Sequence, residues 1–512
     1  MMKRRQFIQG ATVSALPIML NGFSFRAFSR TPLLDLLGQS ALTTGRSLVV
    51  IQLSGGIDGL NVVIPYGNPT YYQRRPSIGI PAANVLQLNS MMGLHPALTQ
   101  LRALYDNAKL CIVQGVGYAN PNRSHFRATD IWMTASESTQ MLDTGWLGRH
   151  LLYRNPNYPG TLTPAPLALQ IGGSPALMLT SQNGGMGITI TDPNQFYQLI
   201  QGTVGFIEDP PPNTPAGAEL LFLRTIEQQA IQYATQIRNA ALAATNQTTY
   251  PTSTLGQQLA IIARLIAGGL NCPIYMVSQG GYDTHSGQAA RLQSLLADLS
   301  SSIAAFQTDL GLLNQADNVI GMTFSEFGRR IAENGSAGTD HGTSLPLFLF
   351  GSRVVPGFYG ADPDFTRVDS TGDFIYNIDY RELYASILGR WFSADATELN
   401  TVLLRSFNQL PIINAPTTGV GEEVVTRFKL EQNYPNPFNP TTTIIYNVPV
   451  ETNVRLTVYD EVGQQVRELF DGVRSPGRHE ATFDATGLAS GTYFYRIQAG
   501  NFVETRKMLL LR

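Results

Sequence analysis

VIGMTFSEFGRRIAENGSAGTDHGTS, residues 319–344, is the stretch whose reading decides the fold. Its first six residues, Val319–Phe324, form an unbroken apolar run, the pattern of a strand covered on both faces in a parallel sheet. An acid–aromatic–Gly–Arg corner follows, Glu326-Phe327-Gly328-Arg329, and then a Gly-rich loop that ends on Asp340-His341-Gly342. Open α/β sheets build their sites at the carboxyl ends of strands, which is where this carboxylate and imidazole fall. Two other stretches repeat the pattern. Ser47–Leu53 (SLVVIQL) runs into Gly55-Gly56-Ile57-Asp58-Gly59, and Pro273–Ser278 (PIYMVS) runs into Gly280-Gly281-Tyr282-Asp283-Thr284-His285. Three strand ends carrying acids, imidazoles and glycines predict one site where all three meet.

The surrounding chain supports that reading. His95–Asp106 has helical spacing, with Pro96 in its first turn and Leu98, Leu101, Leu104 and Tyr105 on one face. Leu110–Val116 reads as the next strand, making a βαβ unit with Ser47–Leu53. A loop, Gly117–Arg127, leads to a helical run ending at Ala135, and Pro- and Gly-rich segments up to roughly residue 215 suggest an insertion capping the site. Ala216–Ala244 and Leu255–Gly268 read as helices. Leu292, Leu295, Leu296, Leu299, Ile303, Phe306 and Leu310 recur at helical spacing, Leu345–Phe350 is a further strand, and Arg381–Phe392 is read as the final helix. Alternating strands and helices predict an α/β domain with a mainly parallel sheet sandwiched by helices.

Both ends of the chain differ from this middle. Lys3, Arg4 and Arg5 precede a weakly apolar run from Phe7 to Leu20, with Ala27-Phe28-Ser29 as a cleavage candidate, so residues 1–30 read as an export signal. No other stretch reaches about 18 unbroken apolar residues, so the mature chain is expected to be soluble with no transmembrane segment. Residues 31–410 hold the α/β pattern, and residues 411–427 are a Pro/Thr/Gly linker. Residues 428–512 carry short alternating runs: Thr443–Val448, Val454–Tyr459, His479–Phe483, Thr492–Gln498 and Val503–Leu511. That is the signature of a small all-β sandwich, and it holds no cluster of His, Cys or carboxylates.

The 512 residues exceed one compact domain, and a net charge of −2 gives no bulk electrostatic case for nucleic acid or an anionic membrane. Cys111 and Cys272 each sit in an apolar run and are expected to be buried free thiols. Asp58, Asp283, His285, Glu326, Asp340 and His341 are the candidate metal ligands, a donor set that suits a divalent cation: Zn²⁺, Mn²⁺, Mg²⁺ or Ca²⁺. Ser124, at a loop-to-helix junction beside His125, is a candidate nucleophile or an ordinary N-cap. Arg123, Arg127 and Arg329 are candidate clamps for a phosphate or sulfate group, or members of ordinary salt bridges. His95 is read as structural, His150 as a supporting residue, and His479 is discounted.

Taken in order, LSGGIDGLN, LHPAL, NRSHF, GWLGRHL, YDTHSGQ, TFSEFGR and GTDHG resemble the uncharacterised bacterial domain-of-unknown-function family numbered 1501 over roughly residues 45–395. That family is placed with the alkaline phosphatase and sulfatase superfamily, so the resemblance implies an alkaline-phosphatase-like fold and hydrolysis of phosphate or sulfate esters, of a small molecule or a glycan. It implies that Asp58, Asp340 and His341 share one metal. Asp283 and His285, with Glu326, would hold a second metal or orient the first, with Ser124 as nucleophile and Arg329 steadying the anion. The sulfatase Cys/Ser-x-Pro-x-Arg signature is absent, and no histidine lies between His341 and His479, which leaves Asp379 or Tyr380 for the last ligand position of the phosphatases. The competing expectation is a non-catalytic surface or assembly protein that keeps the fold and a structural ion.

Arg4-Arg5-Gln6-Phe7-Ile8 resembles a twin-arginine signal. FKLEQNYPNPFNP, residues 428–440, with the ending GTYFYRIQAGNFVETRKMLLLR, resembles the C-terminal sorting domain of the type IX secretion system. This implies the secretion machinery as a partner and delivery outside the cell or to the outer surface of a Bacteroidetes-type bacterium. Removing residues 428–512 is predicted to leave the protein in the periplasm, as read by cell fractionation; unchanged export of the truncated chain contradicts the sorting role.

Overall fold

The computed structural model describes residues 17–20, 23–26, 45–201, 214, 217, 231–414, 428–430, 432–433, 436–448, 452–474, 477–500 and 502–511. Its central sheet contains Ser47–Ser54 (β1), Leu110–Gly117 (β2), Ala168–Ile171 (β3), Ile188–Ile190 (β4), Ile274–Gly280 (β5), Val319–Phe324 (β6), Leu345–Phe350 (β7), Gly357–Tyr359 (β8) and Ile378–Asp379 (β9). The order is β4-β3-β5-β1-β6-β7-β2-β8, with β9 also paired to β2. Every pairing is parallel except those of β7 with β6 and with β2. All six residues of β6 and all six of β7 are buried, so both faces of the sheet are covered there, as their continuous apolar runs require.

Register places the candidate site. β1 lies between β5 and β6, with Ser54 opposite Gly280 and Gln52 opposite Phe324, so the three chain segments leave the sheet side by side. The segment 325–344 contains no crossover helix, so the chain re-enters the sheet at the edge it left, and β7 runs antiparallel to β6. That return holds the whole Gly-rich loop at the carboxyl edge of β6.

Three expectations are corrected. β1 and β2 are not neighbours, because β6 and β7 lie between them. The segment read as a cap supplies β3 and β4, which extend the sheet at one edge. The run near residues 381–392 is helix Tyr380–Ser386 continuing as a π-helical turn, Ile387–Trp391, and another helix, Ala396–Leu403, follows it. The export signal expected over residues 1–30 lies mostly outside the described residues; within it, Pro17–Leu20 and Phe23–Arg26 pair as short antiparallel strands.

Other helices include Thr99–Asp106 (α1), His125–Thr134 (α2), Trp146–Arg154 (α3), Thr254–Ala267 (α4) and Gln288–Leu312 (α5). Leu292, Leu296, Leu299, Ile303, Phe306 and Leu310 form the buried seam of α5, each side chain contributing on the order of 2 kcal/mol by leaving water. Ser300 on that helix accepts the backbone N–H groups of Gln100 and Leu101 at 3.1 and 3.0 Å, satisfying donors that the first turn of α1 leaves unpaired. Trp132 packs on Tyr380, and Trp146 stacks on Tyr384 with ring centroids 4.1 Å apart. Cys111 and Cys272 are buried free thiols, both pushed by burial up to about 12 and so held as unreactive thiols.

The chain divides into two compact units, Met1–Ala415 and Pro416–Arg512. The second has two antiparallel sheets. One pairs Lys429–Leu430, Thr441–Val448 and Gly477–Asp484, and the other orders Gln465–Arg474, Thr452–Tyr459, Gly491–Ala499 and Phe502–Leu510. Between them lies a core that includes Tyr446, Leu456, Val458, Phe483, Tyr495, Ile497 and Leu510. Sequence reading missed strand Gln465–Arg474. It is an edge strand with no fully buried residue and two register shifts against its neighbour, so it carries no apolar alternation to read.

His95 sits buried just before α1, its Nδ1 accepting the Ala97 N–H at 3.1 Å. Burial lowers its pKa from 6.5 to about 4 against the opposing charge of Asp58. The folded state therefore holds it neutral, and the unfolded chain takes up a proton first as pH falls. Its contribution is complete above roughly pH 6.5 and is lost as pH drops toward 4. His95→Gln, which keeps an acceptor for Ala97, is predicted to shrink the loss of stability between pH 7.5 and 4 by about 2–3 kcal/mol in urea titrations.

Candidate metal centre

The loops after β1, β5 and β6 are joined by one side chain. Arg329 is buried, and its guanidinium donates to Gly56 O at 2.9 Å, to Thr339 O at 2.8 Å, to Tyr282 O at 3.1 Å and to Gly55 O. It also donates to Asp283 Oδ1 at 2.6 Å. The loops approach so closely that only glycine fits at two positions. Gly55 (φ +124°) and Gly56 (φ +77°) adopt backbone conformations that other residues resist, and a Cβ at either would lie 2.3 Å from Asp283 N or 2.2 Å from the Phe327 ring. Burial alone would raise the Asp283 carboxyl, but the hydrogen bond and charge of Arg329, aided by His341, hold it below the usual value.

Three imidazoles converge on that carboxylate. Asp283 Oδ1 lies 3.5 Å from His125 Nε2, 3.1 Å from His285 Nε2 and 3.3 Å from His341 Nε2. His285 Nε2 and His341 Nε2 are 2.9 Å apart. Ligand atoms of His125, Asp283 and His341 all fall within 4.8 Å of one another. Each ring is oriented from behind through Nδ1: His125 by Glu326 Oε1 at 2.7 Å, His285 by Asp340 Oδ1 at 2.9 Å, and His341 by Arg123 O at 2.8 Å. All three partners are acceptors, so Nδ1 carries the proton and Nε2 presents a lone pair. The lone pairs of His125 and His341 and the Asp283 carboxylate thus gather at one point with His285 beside it, and His125 Nε2 is buried with no hydrogen-bond partner. Imidazole lone pairs gathered with no donor between the rings fit a bound cation. His341 is held below its ordinary pKa, chiefly by burial and with the charge of Arg329, which keeps it neutral and able to ligate.

The predicted residues divide between the point itself and the layer behind it. Asp283, His285 and His341 are at the point. Asp340 and Glu326 stand behind, orienting His285 and His125; Glu326 also accepts the Gly55 N–H at 2.8 Å. The hydrogen bond from His285 and one from Asn334 hold Asp340 below its usual value. Asp58 does not join His341: it is buried, its Oδ2 takes Arg75 Nη1 at 2.6 Å and the Gln288 amide, and its Oδ1 has no partner. Ser124 is exposed at the N-cap position of α2 with no capping bond from its hydroxyl, next to His125.

Arg329, Arg123 and Arg127 spend their guanidinium bonds on the protein. Arg123 meets Asp369, Thr371 and Asp373, and Arg127 meets backbone carbonyls at 137, 138 and 140. Asp379 caps its helix and pairs with Arg381, and the Tyr380 hydroxyl donates to Ile131 O and Ser136 O, so neither fills a ligand position. His150 is paired in the interior with Glu398 at 2.7 Å. Sequence reasoning missed His125 as a ligand and Arg75 as the partner of Asp58. The signal for His125 was present, since NRSHF places an imidazole at the start of a helix that follows a central strand.

The point is open to solvent: the side chains of Asp283, His285 and Asp340 are 48%, 45% and 53% exposed. One wall is Phe327, whose ring lies 4.9 Å from the His125 ring and 4.6 Å from that of His341. Phe327 also lines a cavity of about 280 Å³ with Tyr118, Thr343, Asp369, Phe374 and Tyr376.

Residues 216–403 match the family model described as "Protein of unknown function (DUF1501)", and residues 432–511 match that of the secretion system C-terminal sorting domain. The DUF1501 segment includes Asp283, His285, Glu326, Arg329, Asp340 and His341, while His125 and Asp58 precede it. Curated protein sequences give no match. Among solved structures, PsFucS1 sulfatase from Pseudoalteromonas sp. is similar at 11% identity, over 86% of this chain and 84% of that one, with a TM-score of 0.34. A protein in the alkaline phosphatase superfamily from Vibrio parahaemolyticus follows at 9% identity, 86% and 79% coverage, and a TM-score of 0.32. Ps i-CgsB in complex with k-i-k-neocarrahexaose gives 13% identity, 70% and 74% coverage, and a TM-score of 0.33. The identities are low, and the ligand set rests on the side chains of this chain.

Zn²⁺ titration of the full chain by chelator competition tests that set. His125→Ala and His341→Ala are each predicted to weaken binding by about 100-fold or more, whereas Asp340→Asn, whose Oδ1 still accepts from His285 Nδ1, stays within about 10-fold. Wild-type affinity in His125→Ala removes the proposed centre.

Proposed function

We propose that this chain is an exported protein, carried across the outer membrane by type IX secretion, whose α/β unit is a metal-dependent hydrolase of phosphate or sulfate esters of a small molecule or glycan. The observation that carries the reading is the convergence of His125, His341 and Asp283 on one open point, with His285 beside it and His125 Nε2 buried and unpartnered. The sorting-domain match supports export. Among the described residues no helix is long and apolar enough to cross a membrane.

His125, His341 and Asp283 would hold the cation, leaving a further position beside His285 for water or substrate. Two nitrogens and one oxygen suit Zn²⁺ or a similar transition metal better than Ca²⁺ or Mg²⁺, which take oxygen donors. A divalent ion held there polarises an ester oxygen and favours ionisation of a nearby hydroxyl or water. Glu326, Asp340 and the Arg123 carbonyl fix the three rings, so no reorganisation is needed when substrate arrives. Arg329 keeps Asp283 ionised at neutral pH. Ser124, exposed beside His125 and not spent on capping, is the candidate nucleophile. Exposure supports a reacting rather than a structural ion, since structural sites close their coordination with protein ligands.

One observation favours the second reading, a non-catalytic surface or assembly protein retaining an ion. The guanidiniums of Arg123, Arg127 and Arg329 each already bond protein acceptors, for which an ester anion would have to compete. Turnover of aryl phosphate and aryl sulfate by the Zn²⁺-loaded full chain separates the two. The hydrolase reading predicts activity that falls by more than about 100-fold in His341→Ala and is lost in Ser124→Ala. An inert chain across a broad ester panel, with metal bound, leaves the second reading standing.

A further inference from the structure

Behind the candidate centre lies one residue that touches both ligand-bearing loops. Gln288 is the first residue of α5 and is fully buried. Its Oε1 accepts the hydroxyl of Thr284 at 3.0 Å and that of Thr339 at 2.6 Å. Thr284 stands between Asp283 and His285, and Thr339 directly precedes Asp340-His341. Its Nε2 donates to Asp58 Oδ2, which also takes Arg75 Nη1. Asp58 can only accept, so the amide nitrogen must face it, and the amide oxygen is left to receive two hydroxyl donors from the two loops. Arg75 in turn donates to Ile331 O at 2.9 Å and Arg330 O at 2.8 Å, tying the Asp58 end to the base of the same Gly-rich loop.

We infer that Gln288 is a positioning residue for the metal centre, setting the separation between the Asp283/His285 pair and the Asp340/His341 pair, with Asp58 fixing the direction of its amide. This rests on the reading of the cluster as a metal site, and it gives Asp58 a role that is not ligation. The physical reason is reach. A single carboxamide oxygen shared by two hydroxyls ties the loops within one side chain's length, and backbone bonds from Thr339 N to Thr284 O at 3.2 Å and from Gln288 N to Ala337 O at 2.9 Å run beside it. A displacement of about an ångström between loops is enough to spoil a tetrahedral donor set.

The test uses the full chain and Co²⁺ as the probe, whose visible absorption reports the number and geometry of its ligands. Gln288→Met keeps volume and burial while removing both acceptor and donor. It is expected to weaken Co²⁺ binding by about 10–100-fold and to lower the intensity of the tetrahedral bands. Thr284→Val and Thr339→Val each weaken binding, Thr284→Ser and Thr339→Ser restore it, and Gln288→Met adds no further loss in the double-valine background. The serine rescue and the absence of additivity separate positioning from a general loss of stability, and the threonine variants keep the test decisive if Gln288→Met does not fold. Wild-type protein that binds no Co²⁺ overturns the metal reading and this inference with it. Wild-type binding with an unchanged affinity and spectrum in Gln288→Met, or full additivity with the valines, overturns the inference alone.

Discussion

The contact of the buried Arg329 guanidinium with Asp283 and its neighbouring carbonyls is the constraint on which the candidate site depends. A guanidinium removed from water is costly unless every donor finds an acceptor, and this one finds four backbone carbonyls and a carboxylate. Those acceptors come from the loops after β1, β5 and β6, so satisfying the charge and assembling the loops are the same event. Lysine could not substitute, because a single ammonium lacks the planar fork that reaches all three loops. The glycines at 55 and 56 follow from this packing, since no side chain fits where the loops press together.

With the loops fixed, the chemistry falls into layers. Imidazole nitrogens and one carboxylate oxygen face outward to the open point, while Glu326, Asp340 and the Arg123 carbonyl stand behind them and decide which ring nitrogen carries the proton. A third layer, Gln288, Asp58 and Arg75, joins the loops beneath. Glu326 and Asp340 thus anchor imidazoles rather than face the point themselves. That division keeps the rings from turning and would raise their basicity toward a cation, which a set of flexible acids on Gly-rich loops could not do.

Much of this arrangement was legible in advance. β6 and β7 were predicted at their observed bounds because a strand covered on both faces is apolar throughout, and the seam of α5 was visible from its spacing. The three loops were picked out by glycines beside acids and imidazoles. Asp58 was misjudged because an acid after a strand looks the same in sequence whether it faces a metal or a buried arginine; Arg75, its partner, sits in a short polar stretch with no pattern to mark it. His125 was passed over because its motif lies between a loop and a helix, and its neighbour Ser124 drew the chemical reading. Strand Gln465–Arg474 escaped because an exposed edge does not need alternation.

Sequence by itself determined the long central strands β1, β2, β5, β6 and β7, that three of them end in site-like loops, and that a separate β module closes the chain. Those features depend on apolar periodicity and turn chemistry, which are local. Tertiary structure alone decided which of the acids and imidazoles meet. Strand order placed β1 between β5 and β6, the antiparallel return of β7 kept the Gly-rich loop at that edge, and α2 brought His125 to it from outside the three loops. The choice between ligand, anchor and buried ion pair for each carboxylate turns on distances of a few ångströms between residues far apart in the chain. Local pattern carries no information about those distances; the packing of Arg329 and its five acceptors fixes them.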